Sequence, residues 1–429
     1  MLSLTLFTAA FAGLFLSKRI LGDYFTPPAI YHFFWSFALG GLYLDWVSYE
    51  PVRQAGWSVM ILGYLGFMGA CFMVGTYAAF RPGWLHAKPR LNHLNRRRFE
   101  HALLFLFLLG IFGFLMQLVH LQLQFGLGTF LTDPIAAREE HTNVKYLGFF
   151  NLLNVANFVL ALAYLVLYRK PRKWVILIML WALATTFVTT DRTRFFYMII
   201  WAFYIGVYLY RRVSLSPKFL AAAAVTMLAL LSFFVLISKL YKKEAFEDNM
   251  EYVNLSSDYA MLVDPYIYLT GSFPVLQAFL DDKPERTYGK ATFEPLVKVL
   301  ELVFPDLERA EIVGKFYRVP IELNACTYLE PFYKDFGYLG VVLGPFGLGL
   351  LAMLAYVAMR QRKTLFSVYF AALFSFCATI SIFVNHFTQT ATWFFVIIGY
   401  VVYRYCHSSV AQPTTPFRKN IFGADAAAE

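Results

Sequence analysis

Charge is scarce in this 429-residue chain: Asp, Glu, Lys and Arg make up only 15% of it, while 59% is hydrophobic. Soluble domains carry about 25% charged residues, and a soluble core this apolar would have no polar face to turn to water. Cysteine is scarce too. Of four, Cys71 and Cys377 fall in apolar runs, Cys406 in the tail, and Cys326 alone in a long polar stretch. One thiol on that stretch cannot close a bridge within it, which excludes a disulfide framework. The motifs of soluble catalysis are missing. There is no P-loop, no Gly-x-Ser-x-Gly, no His-Glu-x-x-His and no Cys-x-x-Cys pair, which argues against nucleotide-driven or zinc chemistry. No repeat shows at the level of hydropathy, so the inverted halves of many secondary transporters find no support.

What is present is a series of apolar runs of about 20 residues, the length that crosses a hydrocarbon layer about 30 Å thick. They predict an all-α polytopic integral membrane protein of about eleven transmembrane helices. The spans lie near 1–17, 28–47, 57–80, 102–125, 147–168, 174–190, 195–210, 219–238, 337–359, 364–384 and 391–403. The N-terminus has no charged leader and no small-residue cleavage site, so its first run reads as a retained span. Four regions follow: an N-terminal bundle over 1–239, a large loop over 240–336, C-terminal helices over 337–404 and a polar tail over 405–429.

Lys and Arg fall in alternate connections. One set holds Lys18 and Arg19, the run from Arg81 to Arg98, 169–173, Arg211 and Arg212, 360–363, and Arg404, Arg418 and Lys419. The other holds only Arg53, Arg138, Lys145, Arg192, Arg194 and Lys239. The positive-inside rule places the first set in the cytoplasm and the large loop on the opposite, periplasmic side. The carboxylates agree. Of 27, 17 lie in Tyr241–Phe336 against 10 Lys plus Arg, giving the segment 10 − 17 = −7 and the remainder 10 + 7 = +17. The Arg81–Arg98 run would suit nucleic acid in a soluble protein; here attraction to anionic lipid is the default, and no nucleic acid partner is expected. Within the loop, 271–280 and 293–303 space apolar residues three and four apart. They predict short interfacial helices on or dipping into the outer leaflet, part of a cap over a cavity between the spans.

Arginines on the sparse side are the first candidates, since the targeting rule selects against them there. Arg192 and Arg194 flank Thr193 between two spans with no polar spacer. They either snorkel to phospholipid phosphate or turn inward, where a guanidinium fork grips pyrophosphate oxygens in pairs. Arg138, in Arg138-Glu139-Glu140-His141, is either part of a solvated helix start or a second anion or sugar contact. Arg286, Arg309 and Arg318 lie in the acidic loop, where exposed ion pairs contribute little. From Asn324 to Gly340, aromatic planes mix with Asn324, Glu330 and Asp335, as on sugar-binding surfaces. Asp335 is a catalytic candidate and equally an N-cap for the span that follows. His386, in Asn385-His-Phe-Thr-Gln, is a candidate base and equally a structural histidine.

Three features of this chain resemble the Wzy-type oligosaccharide repeat-unit polymerases, the O-antigen polymerases of bacterial envelopes. They are Arg192-Thr193 heading a span, Tyr268-Leu-Thr-Gly271 early in the large loop, and Asn324–Thr327 followed by Tyr333-Lys-Asp335-Phe-Gly-Tyr-Leu-Gly340 opening the next span. Their order and placement cover the whole plan of the chain. The resemblance implies a metal-independent glycosyltransferase of the bacterial inner membrane, with no cofactor, active at the periplasmic face in lipopolysaccharide or other surface polysaccharide biosynthesis. Its substrate would be an undecaprenyl-pyrophosphate-linked oligosaccharide, and its partners membrane lipids and a chain-length regulator protein. It assigns the pyrophosphate to Arg192 and Arg138 with help from Arg286 or Arg318, and substrate contacts to Arg194, Asn324 and Tyr268. The related O-antigen ligases share the plan and use a periplasmic histidine; a flippase for lipid-linked sugars is the rival from another class.

Overall fold

The computed structural model describes residues 1–81, 94–126, 148–168, 172–189, 192–209, 250–301, 303–304, 307 and 314–407, with isolated positions 221, 224–225, 228 and 232. Helices dominate. In order they are α1 (Leu2–Leu21), α2 (Pro27–Leu42), α3 (Gln54–Ala79), α4 (Arg96–Phe125), α5 (Gly148–Tyr168), α6 (Lys173–Thr189) and α7 (Arg192–Phe196). A π-helical turn over Tyr197–Trp201 leads into α8 (Ala202–Leu209). Then come α9 (Val263–Thr270), α10 (Ser272–Asp281), α11 (Glu294–Leu300), α12 (Glu330–Gln361), α13 (Leu365–Ile380) and α14 (Thr390–Cys406). A two-stranded hairpin, β1 (Tyr317–Arg318) and β2 (Glu322–Leu323), pairs antiparallel with Arg318 opposite Glu322.

Among the described residues, five helices are long and apolar enough to cross a membrane: Leu2–Leu21, Gln54–Ala79, Arg96–Leu123, Phe150–Tyr168 and Glu330–Gln361. The predicted number was larger. Lys173–Thr186, Thr193–Leu209, Leu365–Ile380 and Thr390–Cys406 are apolar but shorter, α2 has 16 residues, and the predicted span at 219–238 lies outside the described residues apart from isolated positions. The helices are apolar all round. Leu65, Phe72, Leu108, Leu123 and Leu180 are exposed, as expected of surfaces whose solvent is hydrocarbon rather than water.

The helix ends follow local chemistry. Pro27 and Pro28 open α2, where a missing N–H costs nothing. Asn95 caps α4 by accepting from the Arg98 N–H, and Thr364 and Ser367 form a reciprocal capping box on α13. Helices α3 and α12 pack at close range. A Cβ on Gly66 would stand 2.6 Å from the Val342 carbonyl oxygen, and one on Gly349 would stand 2.4 Å from that of Phe67. Missing side chains let the two backbones touch, the means by which helices associate where burial from water supplies no drive.

Several polar groups inside the bundle are partnered, although, among the described residues, the Asn157 side-chain oxygen, the Trp181 indole N–H and the Tyr369 hydroxyl are buried without a hydrogen-bond partner. On α5, Asn151 donates to Gln117, Asn154 to the Gly110 carbonyl at 3.1 Å and Asn157 to the Leu103 carbonyl at 3.2 Å, a ladder facing α4. At the basic end, Glu100 accepts from Arg96 (2.9 Å) and Tyr164 (2.6 Å) and pairs with Arg172 at 3.1 Å. Asp23 accepts from Tyr356 at 2.8 Å, with Arg360 at 3.6 Å.

The described part of the acidic loop caps the other end. Val253 bridges to Val47, Tyr266 donates to the Gly41 carbonyl, and the Gln277 side chain accepts from the Arg53 and Gly56 N–H groups at the start of α3. Of the two predicted interfacial helices, α10 departs from expectation. Phe273, Val275, Leu276 and Phe279 are buried in protein rather than turned to a leaflet, because α3 offers them an apolar face. α11 keeps Leu296, Val299 and Leu300 exposed and buries Val297 alone among its apolar residues.

Candidate functional site

The connection between α13 and α14, residues 381–389, is the point where bundle and cap meet. Sequence alone reads it as a short outer turn, yet Ser381, Asn385 and His386 are buried. Trp35 donates to the Ser381 hydroxyl at 3.0 Å, and Tyr328 N–H donates to the Ser381 carbonyl at 3.0 Å. Ser272 donates to the Ile382 carbonyl at 2.5 Å. Tyr268 stacks on Phe383, with centroids 5.1 Å apart. Asn385 donates to the Tyr328 carbonyl at 2.8 Å and accepts from the Thr388 N–H. A backbone segment drawn this far inward must satisfy its polar groups on protein, and α2, α10 and Tyr328, just ahead of α12, supply the partners.

His386 sits inside this knot at 2% exposure. Its Nδ1 lies 2.6 Å from the Gln389 side-chain oxygen and 3.1 Å from the Tyr197 hydroxyl. Tyr197 is 2.8 Å from the Thr392 hydroxyl, which donates to the His386 carbonyl at 2.6 Å. The directions follow. Thr392 gives its proton to the carbonyl, so it accepts from Tyr197; the Gln389 oxygen has no proton to give, so Nδ1 carries one. In the neutral ring that tautomer leaves the lone pair on Nε2. Tyr197 opens the π-helical turn directly after α7, which begins at Arg192; Arg194, half-buried, lies one helical turn before it. Widened turns of this kind often mark functional positions.

A second knot ties the cap to α12. Asp335, 1% exposed, accepts from the Thr287 hydroxyl and from the N–H groups of Ala291 (3.3 Å) and Thr292 (2.6 Å). The expectation of an N-cap is corrected here: Asp335 stands two residues before the break at Gly337, but its oxygens bind Thr287 and the backbone of the cap rather than the first N–H groups of the helix that follows. Two residues beyond Thr292, Glu294 accepts from the N–H (3.1 Å) and hydroxyl (2.5 Å) of Thr390, next to Gln389. Asp335, Glu294, Gln389, His386 and Tyr197 thus follow one another from cap to bundle, linked by hydrogen bonds and short stretches of chain.

The remaining candidates are dispersed. Arg286 donates to the Tyr333 carbonyl and lies 4.9 Å over the Tyr333 ring. Arg318, exposed on β1, stands beside the Tyr252 hydroxyl at the far side of the cap. Asn324 is half-buried just after the hairpin. Arg138, with Glu139, Glu140 and His141, lies outside the described residues, as does Arg309. Tyr197, Gln389, Thr392 and Glu294 were not singled out from sequence. Only Gln389 left a local signal, standing three residues after His386.

The cap's rim carries its own charge chemistry. Lys315 donates to Asp282 at 2.9 Å, Tyr317 at 3.2 Å. The Lys315 hydrogen bond holds the Asp282 carboxyl below its ordinary value of 3.8, while burial and the same carboxylate push the Tyr317 hydroxyl up. Burial likewise pushes up the Cys326 thiol. All four cysteines are free and buried; Cys406, expected in the tail, closes α14. Among the described residues no cluster of three or more His, Cys, Asp or Glu could hold a metal ion. No family model, curated protein or solved structure matches the chain.

Proposed function

We propose that this chain is a membrane glycosyltransferase that polymerises undecaprenyl-pyrophosphate-linked oligosaccharide repeat units at the periplasmic face of the bacterial inner membrane. The growing glycan moves from its lipid pyrophosphate onto the incoming unit. The acceptor hydroxyl attacks the anomeric carbon, the bond to the pyrophosphate oxygen breaks, and undecaprenyl pyrophosphate leaves. Pyrophosphate is a good leaving group, so the work is to steady its charge and align two lipid-borne sugars.

The observation that supports this reading best is the buried contact of His386 with Tyr197, on the turn that follows Arg192-Thr193-Arg194. It sets the histidine against Tyr197, which follows Arg194 and Arg192, assigned to the anion, by three and five residues. His386 Nε2 takes the acceptor's proton, Arg192, Arg194 and Arg138 hold pyrophosphate oxygens, and Asp335 fixes the cap over the site. The same histidine is what favours the O-antigen ligase reaction as the second reading, with a different acceptor.

The test is complementation of a polymerase-null strain scored by glycan ladder. His386→Ala and Arg192→Ala, at normal protein level, are expected to leave a single repeat attached. Full ladders from both variants refute the assignment. Loss of every attached repeat points to a ligase or a flippase.

A further inference from the structure

The loop clamped by Asp335 also roofs an apolar groove. Phe332, Phe336, Gly340, Leu343 and Gly344 of α12, with Phe293 above them, line a half-open cavity of about 320 Å³. Gly340 and Gly344, one turn apart, let Phe332 lie directly on the helix as one wall of the groove, while Leu339 and Leu343, also lining it, are exposed. At the groove's upper end α12 kinks at Gly337 (φ 63°, ψ −145°), and Arg286 lies on that kink. A Cβ on Gly337 would stand 2.7 Å from Arg286 Nη2. The guanidinium is fixed from one side by the Tyr333 carbonyl and ring, yet the residue is exposed. Among the described residues no carboxylate pairs with it. A guanidinium has five N–H donors, so an immobilised arginine without a counter-ion presents a ready anion site one residue from the groove's Phe336.

We propose that Arg286 and this groove form one binding site for a polyprenyl diphosphate, the diphosphate on Arg286 and the first isoprene units in the groove. The proposal rests on the polymerase reading for the identity of the lipid and places here the second lipid-borne unit, distinct from the one whose pyrophosphate Arg192, Arg194 and Arg138 hold. The groove's volume is at the low end of small-molecule sites, roughly 300–1,000 Å³, which suits a stretch of one chain and not the paired chains of a diacyl lipid. The fork geometry of Arg286 suits two oxygens of a diphosphate.

The experiment uses the full chain in lipid nanodiscs with a photoreactive farnesyl diphosphate analogue, its cross-links mapped by mass spectrometry. Cross-links are expected at 336–344, competed by undecaprenyl diphosphate and not by phosphatidylglycerol. Arg286→Ala is expected to weaken binding about tenfold or more, with Arg286→Lys between it and wild type. Leu343→Trp, which fills the groove, should abolish cross-linking there. Leu354→Trp, exposed further along α12, should leave it unchanged. Cross-links elsewhere, equal competition by phosphatidylglycerol, or wild-type affinity in Arg286→Ala overturns the site. Long glycan ladders from Leu343→Trp would sink the lipid site and leave the polymerase reading standing. Groove labelling in a protein that fails to restore polymer to the null strain would do the reverse.

Discussion

Replacing Asp335 by alanine withdraws the acceptor for three donors at once: the Thr287 hydroxyl and the N–H groups of Ala291 and Thr292. The Thr287 hydroxyl can turn toward another acceptor, whereas the two N–H groups are fixed by the backbone. Each unsatisfied buried donor costs about 1–3 kcal/mol, so the clamp loses about 3 kcal/mol, and local opening of 287–294 becomes about a hundredfold more frequent. Asp335→Asn behaves differently. Its carbonyl oxygen can keep the 2.6 Å bond to Thr292, its amide can donate to the Thr287 oxygen, and only the longer Ala291 bond is lost, for about 1 kcal/mol. Hydrogen exchange of peptides covering 287–294, with α13 as internal reference, reads the difference. Glycan ladders separate positioning from catalysis: a positioning carboxylate predicts partial function in Asp335→Asn and loss in Asp335→Ala. Wild-type protection of 287–294 in Asp335→Ala would refute the clamp, and complete inactivity of a fully protected Asp335→Asn would return Asp335 to the chemistry.

Gly337→Ala places a side chain in a backbone region that only glycine occupies readily, and against Arg286 as well. A cost of about 1–3 kcal/mol predicts a lower melting temperature than for the neighbouring exposed change Leu339→Ala, and an unchanged melt would show that the kink is relaxed. The Asp282 carboxyl has its pKa lowered by folding, so its tie to Lys315 and Tyr317 contributes fully above the unfolded value near 3.8 and is lost as pH falls through the depressed folded value. Hydroxyl-radical footprinting of Tyr317 should therefore rise between about pH 5 and about pH 2.5, and equal reactivity at both would deny the tie. The four buried thiols predict no maleimide labelling of native protein and four adducts after denaturation; rapid native labelling of Cys326 would contradict its burial.

Most helix positions were legible because length and apolarity alone define them. The run near 57–80 became α3 at Gln54–Ala79, and that near 174–190 became α6 at Lys173–Thr189. Gly337 and Gly340 read as the start of a span, and the helix that follows does start there: Gly337 (φ 63°, ψ −145°) breaks it from 330–336, whose Phe332 folds back against Gly340 and Gly344. Errors arose where packing decides. The amphipathic period of 271–280 matches a helix at Ser272–Asp281, but period alone cannot say whether lipid or α3 covers the apolar face. His386 was named while its partner Tyr197, 189 residues away, was not, because nothing local marks that pairing. The asparagines at 151, 154 and 157 repeat at helical spacing in an apolar run. That pattern was available from sequence and signals a polar stripe turned toward another helix.

The π-helical stretch over Tyr197–Trp201 sets the angular phase of α7 relative to α8. Removing one residue from this stretch would let the chain relax to ordinary winding, and each residue of an α-helix advances about 100°. Tyr197 and the arginine-bearing turn ahead of it would then swing by that angle relative to Trp201 and α8, carrying the phenol away from the imidazole without altering a single functional side chain. The chain therefore encodes the aim of its arginine-bearing turn at this point, in a count of residues rather than in their identity.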